Sequence, residues 1–297
     1  MLFIARDVFR LHFLLFLLLT VIAADVLAQD ESVTECDRLA AHPQDPNKIA
    51  TGIAWNELDA SAALSACEAA LDRDPANPRL QYQYGRSYDK QKYLRDAVRW
   101  YREAAQQGYA SAQNSLGYAY ERGEGVEASY QKAFTWYQKA ARQGHAQAQN
   151  NLGTLYYKGQ GVNADNEKAL YWYRKAAEKG NAIAQLNVGS MYSQGLSVEK
   201  NNKTAFGWYL KAAKQNLAHA QYHVGMAYIA GNGIEANRRK AKLWFERAAG
   251  NGNYQAEEAL NQMQFRAAYC DSLYLLTKNQ HSQTLSDTGK LAPAVCR

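Results

Sequence analysis

The chain has 297 residues and a formal net charge of +6, from 34 basic and 28 acidic side chains. This balance favours anionic partners, such as an envelope polysaccharide or nucleic acid, only weakly. Beyond the N-terminus no segment is long and apolar enough to cross a bilayer, which excludes a further membrane span and predicts a soluble or peripheral protein.

The first 28 residues have the pattern of an export signal. Arg6 and Arg10 precede an apolar run at 11–24, which is shorter than the roughly 20 residues of a membrane span. Small residues follow, with Ala28 at the position before a cleavage site. We therefore predict a signal peptide over 1–28 and a periplasmic or secreted protein, with a retained anchor as the alternative. Export makes nucleic acid the less favoured of the anionic partners.

The segment 29–75 is predicted to form an N-terminal helical cap. The stretch Ala63–Pro78, with its D-P-x-x-P ending, resembles the second helix of a tetratricopeptide-type unit, and Cys36–Ala41 would be the first helix of that unit. An even number of cysteines in an exported chain favours disulfides. Under this resemblance, Cys36 and Cys67 would link the two helices.

Four stretches of 36 residues, which begin at Tyr109, His145, Asn181 and Leu217, align without a gap. Each has A-x-A-Q at positions 2–5, Gly at position 9 and Tyr at position 12. A glycine-bearing turn follows, then Ala, Trp and an aromatic residue, then Ala-Ala. A fifth copy comes first and lacks four residues of the turn. The predicted repeats are 76–108, 109–144, 145–180, 181–216 and 217–252.

The spacing within a unit predicts two amphipathic helices, because positions 2, 5, 9 and 12 recur at helical intervals and so do 25, 28, 29, 32 and 33. Turns such as the one at Gly123 end the first helix, since Gly adopts left-handed geometry without steric cost. The second helix ends at Gly in each unit except at Asn216, and Asn tolerates that geometry best after Gly. Five tryptophans share one position and are predicted to fill the core between helices: Trp100, Trp136, Trp172, Trp208 and Trp244.

This pattern resembles the Sel-one-like repeat, a relative of the tetratricopeptide repeat. The resemblance implies an all-α fold, an α-solenoid of antiparallel helix pairs in a right-handed superhelix. Three residues depart from the pattern: Ser197 replaces a turn glycine, Phe245 replaces Tyr, and Gly207 lies within a helix.

No residues with catalytic spacing can be identified. The G-x-G turns recur once per unit and lack the strand and the Lys-Ser or Lys-Thr of a phosphate-binding loop. His219 and His223 stand one helical turn apart, but no third metal ligand accompanies them. We therefore predict a non-enzymatic protein without metal or cofactor. The alternative is a hydrolase or binder of β-lactam or peptidoglycan-type ligands, as in cysteine-rich relatives, although those relatives carry a cysteine pair in nearly every unit.

Positions 3, 7, 10 and 14 of each first helix lie opposite its apolar side on a helical wheel. In related solenoids the first helices line the concave surface, so the resemblance implies a groove for an elongated protein or peptide, with a merely solvated surface as the alternative. We call these positions the first-helix face. They hold Ser111, Ser115, Tyr118, Arg122, Gln147, Asn151, Thr154, Lys158, Ile183, Asn187, Ser190, Gln194, His219, His223, Met226 and Ala230.

The segment 253–297 is predicted to cap the last unit. Tyr254–Thr277 indicates one or two helices, and the polar residues 278–297 are expected to follow the surface. A disulfide between Cys270 and Cys296 would attach this tail. A basic cluster at 238–242 is interpreted as a solvated helix start.

Overall fold

The structure is a computed structural model that describes residues 33–281. The predicted signal peptide and the tail from residue 282 lie outside this range. Within it the chain forms helices and no strand, and none of these helices has the length and apolarity that a bilayer crossing requires. The helices are α1 (Glu35–Ala40), α2 (Ala60–Arg73), α3 (Pro78–Lys90), α4 (Leu94–Gln106), α5 (Ala110–Arg122), α6 (Tyr130–Arg142), α7 (Ala146–Lys158), α8 (Asn166–Glu178), α9 (Ala182–Gln194), α10 (Asn202–Ala213), α11 (Ala218–Ala230), α12 (Arg238–Gly250) and α13 (Tyr254–His281).

The chain divides into two compact units. The first extends to Ala148 and includes Gly159–Asn163, and the second comprises Gln149–Lys158 and the chain from Ala164 onward. Within each unit, a helix packs mainly against its neighbours in sequence, as consecutive antiparallel pairs. The predicted all-α solenoid of helix pairs is confirmed.

The N-terminal pair of helices is joined by the predicted disulfide. Cys36 in α1 and Cys67 in α2 are fully buried and bonded to each other. Asp59 caps α2 by accepting hydrogen bonds from two backbone N–H groups of its first turn. Cys296 lies outside the described residues, so the pairing with Cys270 stays a prediction.

Glycine at position 9 makes room for a buried aromatic ring on the second helix. A Cβ at Gly117, Gly153 or Gly189 would lie 2.7 or 2.8 Å from the tyrosine ring opposite. These distances are shorter than carbon atoms in contact can reach. In every repeat the ring belongs to the residue at position 29, directly after the tryptophan. These residues are Tyr101, Tyr137, Tyr173, Tyr209 and Phe245.

The tryptophans contact the core without being enclosed by it: all five are half-buried, and Trp100 and Trp244 pack against clusters of buried residues. Successive helical residues differ by about 100° in direction. When the ring after the tryptophan points at the glycine of the first helix, the indole therefore lies at the edge of the interface. Cations cover several of these indoles, as Lys139 does above Trp136 at 4.3 Å and Lys211 above Trp208 at 4.0 Å.

The glutamine of the A-x-A-Q motif connects adjacent repeats. In the first unit, Gln113 donates a hydrogen bond to the Ala105 carbonyl (3.1 Å) and accepts one from Gln143 (2.8 Å). Gln185 and Gln221 make the corresponding bonds in the second unit. These amides are buried, so the motif contributes paired polar contacts to the repeat interface.

The second turn glycine allows the turn to pack tightly on the preceding repeat. Gly125, Gly161 and Gly233 have positive φ, and a Cβ on any of them would overlap backbone atoms of the preceding second helix. Ser197, at the same position in another repeat, keeps the left-handed geometry with φ 55°. These turns are packing elements.

Candidate partner-binding face

The residues of the first-helix face differ in exposure. Ser111 is 2% exposed and cannot contact a partner, so its inclusion in the face is corrected. Ser111 lies in the first turn of α5. Directly before this turn, Tyr109 contacts Asp45 in the loop between α1 and α2. The half-buried residues are Ser115, Gln147, Asn151, Thr154, Asn187, Ser190 and His223. The exposed residues are Tyr118, Arg122, Lys158, Ile183, Gln194, His219, Met226 and Ala230.

A hydrogen-bonded network of side-chain amides and hydroxyls lies on this face in the second unit. The Asn187 amide on α9 donates to the side-chain oxygen of Asn150 on α7 (3.1 Å). The Thr154 hydroxyl donates to the Asn150 carbonyl (3.1 Å) and accepts from the Tyr173 hydroxyl (3.1 Å). The same contacts fix the rotamers of these polar groups, which lowers the entropy cost of binding a ligand to them.

Further side-chain hydrogen bonds lie along α9. Gln194 donates to the Ser190 hydroxyl (2.7 Å), and the Ser193 hydroxyl lies 3.1 Å from that of Tyr209. Asn150 was not predicted as a face residue, since it stands at position 6. Only the hydrogen bond between α7 and α9 in the structure shows that it contacts Asn187.

The two histidines of α11 have different surroundings. His223 stacks on the Tyr209 ring, with centroids 4.8 Å apart and planes 12° from parallel, and burial together with the charge of His219 lowers its pKa. The lowered pKa favours the neutral ring of His223 at pH 7. The two side chains also differ in burial, because His223 is half-buried and His219 is exposed. Within the described part of the chain no third metal-ligating side chain joins them.

In the first unit, a buried arginine holds the loop between α1 and α2. The Arg86 guanidinium on α3 donates to the carbonyls of Ala40 and Ala41 (2.9 Å each) and of Ile53 (2.6 Å). It is 2% exposed. The Tyr109 hydroxyl donates to the buried carboxylate of Asp45 (2.5 Å), which raises the pKa of Tyr109 in addition to the larger effect of burial. No pattern in the sequence predicts these roles of Arg86, Asp45 and Tyr109.

His42 lies in the loop that Arg86 holds, near the charges of Arg86 and Asp45. Burial lowers its pKa to about 4, the Arg86 charge adds to this effect, and Asp45 opposes it. The ring nitrogen Nδ1 accepts a hydrogen bond from the Gln44 N–H (3.1 Å), which also favours the neutral ring.

We expect His42 to make stability depend on pH. In the unfolded chain it gains a proton near pH 6.5, but in the folded chain only near pH 4. Between these values the unfolded chain binds more protons, so the free energy of unfolding falls as the pH is lowered. The urea midpoint measured from pH 7 to pH 4.5 should decrease less steeply in His42→Asn than in the wild type. Identical slopes would contradict this assignment.

The repeats of this chain are similar to those of known proteins. The profile of the Sel1 repeat matches residues 81–109, 110–145, 146–181, 182–217 and 218–253. A Sel1 repeat protein from Oxalobacter formigenes is 35% identical with a TM-score of 0.64, over 68% of this chain and 82% of that one. A protective antigen of uropathogenic Escherichia coli with an SLR fold is 28% identical with a TM-score of 0.63, over 80% of this chain and 51% of that one. This chain thus spans about half the length of that antigen. The curated proteins include no match.

Proposed function

Because the chain belongs to the Sel1 repeat family, we propose that it is a non-enzymatic scaffold that binds a segment of another protein along the first-helix face of its second unit. The repeat architecture is of the protein-interaction type. The bound segment would be a peptide or an extended part of a partner, and an anionic envelope polysaccharide is the other ligand class that the charge of the chain allows.

The amide network on α7 and α9 carries this proposal. The Asn187 amide nitrogen is held by Asn150, and its side-chain oxygen accepts no hydrogen bond within the described residues. A peptide backbone presents N–H donors and carbonyl acceptors at regular intervals, which side-chain amides match. Exposed apolar side chains lie on the same face, among them Ile183 (46% exposed) and Met226 (39%). Hydrogen-bonding and apolar groups together favour a protein segment over a polysaccharide.

The proposal places the protein outside the cytosol, as an adaptor or regulator in the bacterial envelope. The disulfide between Cys36 and Cys67 supports this location, since such bonds persist in oxidising compartments. The signal-like pattern at 1–28 also supports it. The similar Escherichia coli protein is described as a protective antigen, which fits an envelope location for this chain as well.

Photo-crosslinking tests the face directly. A photoreactive phenylalanine analogue in place of Gln194, on the exposed end of α9, is expected to capture a partner from an envelope extract. The same analogue in place of Tyr171, which is exposed on α8, is expected not to capture it. Asn187→Ala combined with Ser190→Ala should reduce the yield at position 194 about tenfold, because two lost polar contacts together contribute about 1.4 kcal/mol.

The matched control is Lys175→Ala on α8, which should leave the yield unchanged. Circular dichroism shows whether each variant keeps its helices. If the partner is captured equally from both positions, or if a folded double variant captures as much as the wild type, the face does not bind it.

A further inference from the structure

Charge is segregated between the two kinds of helix in the second unit. The first helices α9 and α11 contain no lysine, arginine, aspartate or glutamate. The second helices α10 and α12 contain seven cations and a single carboxylate, and Lys214 follows directly after α10. We call these cations, together with Lys214, the second-helix surface. They are Lys203, Lys211, Lys214, the run at 238–240, Lys242 and Arg247, and all of them are exposed.

Helix stability alone does not explain where these cations lie. The partial charges at helix ends make cations stabilising near the C-terminus and unfavourable in the first turn. Arg247 lies in the last turn of α12, where the helix dipole favours it. The run at 238–240 lies in the first turn of the same helix, which contains no acidic residue. Stability that is lost at such a position is typical of residues that serve a ligand.

A crevice of about 490 Å³ lies between the C-terminal ends of α10 and α12. Two cations of the second-helix surface, Lys214 and Arg247, line it. The amide side chains of Asn216, Gln221 and Asn251 line it as well. Asn251 donates a hydrogen bond to the buried Gln221 (2.9 Å), which fixes both amides. Because ligand-binding cavities have volumes of roughly 300–1,000 Å³, the crevice is large enough for a small ligand or one unit of a polymer.

The charges at this crevice favour an anion. The one carboxylate of α12, Glu246, forms an ion pair with Lys242 one turn earlier (3.6 Å). Arg247 lies instead over the ring of Trp244, 4.8 Å from its centroid. A guanidinium over an indole is held by the electrons of the ring and keeps its charge. A carboxylate on a ligand would therefore complement Arg247 and Lys214.

The arrangement of the aromatic rings favours a saccharide over a nucleic acid. Proteins bind single-stranded nucleic acid by stacking its bases on open aromatic faces. On α10 and α12 the indoles are half-buried, and cations cover them, as Lys211 does above Trp208 at 4.0 Å. Sugar hydroxyl groups both donate and accept hydrogen bonds, as the amides of the crevice do. An acidic sugar thus matches both the charges and the amides.

We propose that the second-helix surface binds an acidic polysaccharide, with the carboxylate of one sugar unit held by Lys214 and Arg247 in the crevice. The hydroxyl groups of that unit would bind the amides, and neighbouring acidic units would follow α12 toward the cations at its start. Carboxylates spaced along a polymer complement cations spaced along a helix. The inference goes beyond the proposed function, because the protein segment is proposed to bind the first-helix face.

Isothermal titration calorimetry of the full chain with three probes tests the ligand class at one fixed salt concentration. The probes are a galacturonate decamer, the same decamer with every carboxylate methyl-esterified, and single-stranded decathymidylate. We expect the galacturonate decamer to bind at least about tenfold more tightly than either of the others. Binding of none, equal binding of the ester, or equal or tighter binding of the nucleic acid would overturn the proposal.

Vesicles of phosphatidylglycerol and phosphatidylcholine test the remaining anionic partner, a membrane surface. We expect the full chain to stay in the supernatant when these vesicles are sedimented. Sedimentation of the chain with the vesicles, without binding of the galacturonate decamer, would assign the cations to a membrane and overturn the proposal.

Charge reversal locates the binding. Lys214→Glu and Arg247→Glu should each weaken binding of the galacturonate decamer at least about tenfold. The matched control is Lys158→Glu, which makes the same change in net charge at the exposed end of α7 and should leave the affinity unchanged. Circular dichroism shows whether each variant keeps its helices. If the folded crevice variants bind the decamer as tightly as the control does, the crevice is not its site.

Asn216→Gly separates recognition of the sugar from attraction between charges. Asn216 has φ 63°, and Gly occupies this position in the other repeats, so the backbone accommodates the change. The variant keeps the net charge and loses one amide, so binding of the galacturonate decamer should weaken about threefold. An unchanged affinity would show that the crevice recognises charge alone and would contradict the selection of a sugar.

The polysaccharide site and the protein-binding face can fail separately. We expect crosslinking at position 194 to be the same in Arg247→Glu as in the wild type. If this variant loses the crosslink and the galacturonate decamer does not bind the wild type, the cations serve the protein partner and the polysaccharide inference is wrong. If the decamer binds at the crevice while no partner is captured at position 194, the polysaccharide site stands and the proposed function is wrong.

Discussion

Replacement of Arg86 by methionine is expected to lower the free energy of unfolding by about 3 to 5 kcal/mol. Methionine fills much of the same space but removes the donors to the carbonyls of Ala40, Ala41 and Ile53. Hydrogen bonds from a charged group contribute about 1.5–3 kcal/mol each, and a buried carbonyl left without a donor costs about 1–3 kcal/mol. The arginine itself is costly to bury, and its desolvation lowers its pKa, so the loss stays below the sum of these bonds.

Urea unfolding monitored by circular dichroism measures this loss, with Arg99→Met as the matched control. The Arg99 side chain is 60% exposed and forms a surface ion pair with Asp96 at 3.6 Å. Such pairs contribute little, so the control should change the free energy of unfolding by less than about 1 kcal/mol. Hydrogen exchange at the Ile53 amide, which donates to the Ala41 carbonyl (2.8 Å), reports on the loop itself. An Arg86→Met chain with wild-type stability and protection would show that the loop is held by other contacts.

Arg86 illustrates what the sequence could not reveal. A single arginine in a polar helix has the pattern of a surface residue, and its burial results from a loop more than thirty residues earlier in the chain. The same holds for Asp45, which contacts Tyr109 across 64 residues. Among the described residues these contacts do not recur from repeat to repeat, so the comparison of repeats cannot detect them.

Features that recur in every repeat were predictable because their causes are local. Gly123 has φ 72° and Asn216 has φ 63°, as the turn and helix-end patterns predicted. The resemblance to Sel-one-like repeats and the all-α solenoid class are confirmed for the same reason. Each repeat requires the same backbone geometry at the same position, so the sequence shows the same residue choice several times.

Comparison of the repeats could not predict the orientation of adjacent aromatic residues. Trp136 and Tyr137 are both large and both recur, and the alignment alone does not decide which ring faces the partner helix. The glycine at position 9 decides it, because its missing Cβ leaves space for one ring. On the candidate face, Met226 is 39% exposed, whereas the helical wheel did not predict the burial of Ser111.

Two glycine-to-alanine changes in one repeat, at position 9 and in the second helix, are expected to change the free energy of unfolding in opposite directions. Gly189→Ala is expected to lower the free energy of unfolding by about 2 kcal/mol, because its Cβ would lie 2.7 Å from the Tyr209 ring and 3.2 Å from the Ala205 carbonyl. The ring cannot move away easily, since its hydroxyl contacts Ser193 and its face stacks on His223. The helix preference of alanine returns up to about 1 kcal/mol of the steric loss.

Gly207→Ala, in the paired helix α10, isolates that helix preference. Apart from neighbouring backbone of its own helix, no atom lies within 4 Å of an added Cβ, so this variant should gain up to about 1 kcal/mol in the free energy of unfolding. Urea midpoints of the full chain should therefore move in opposite directions for two glycine-to-alanine changes in one repeat. Tyr209→Leu should partly relieve Gly189→Ala, because a smaller side chain accepts the new methyl group, and the two changes should be non-additive. If both alanine variants shift the midpoint in the same direction, contact with the ring does not explain the glycine at position 9.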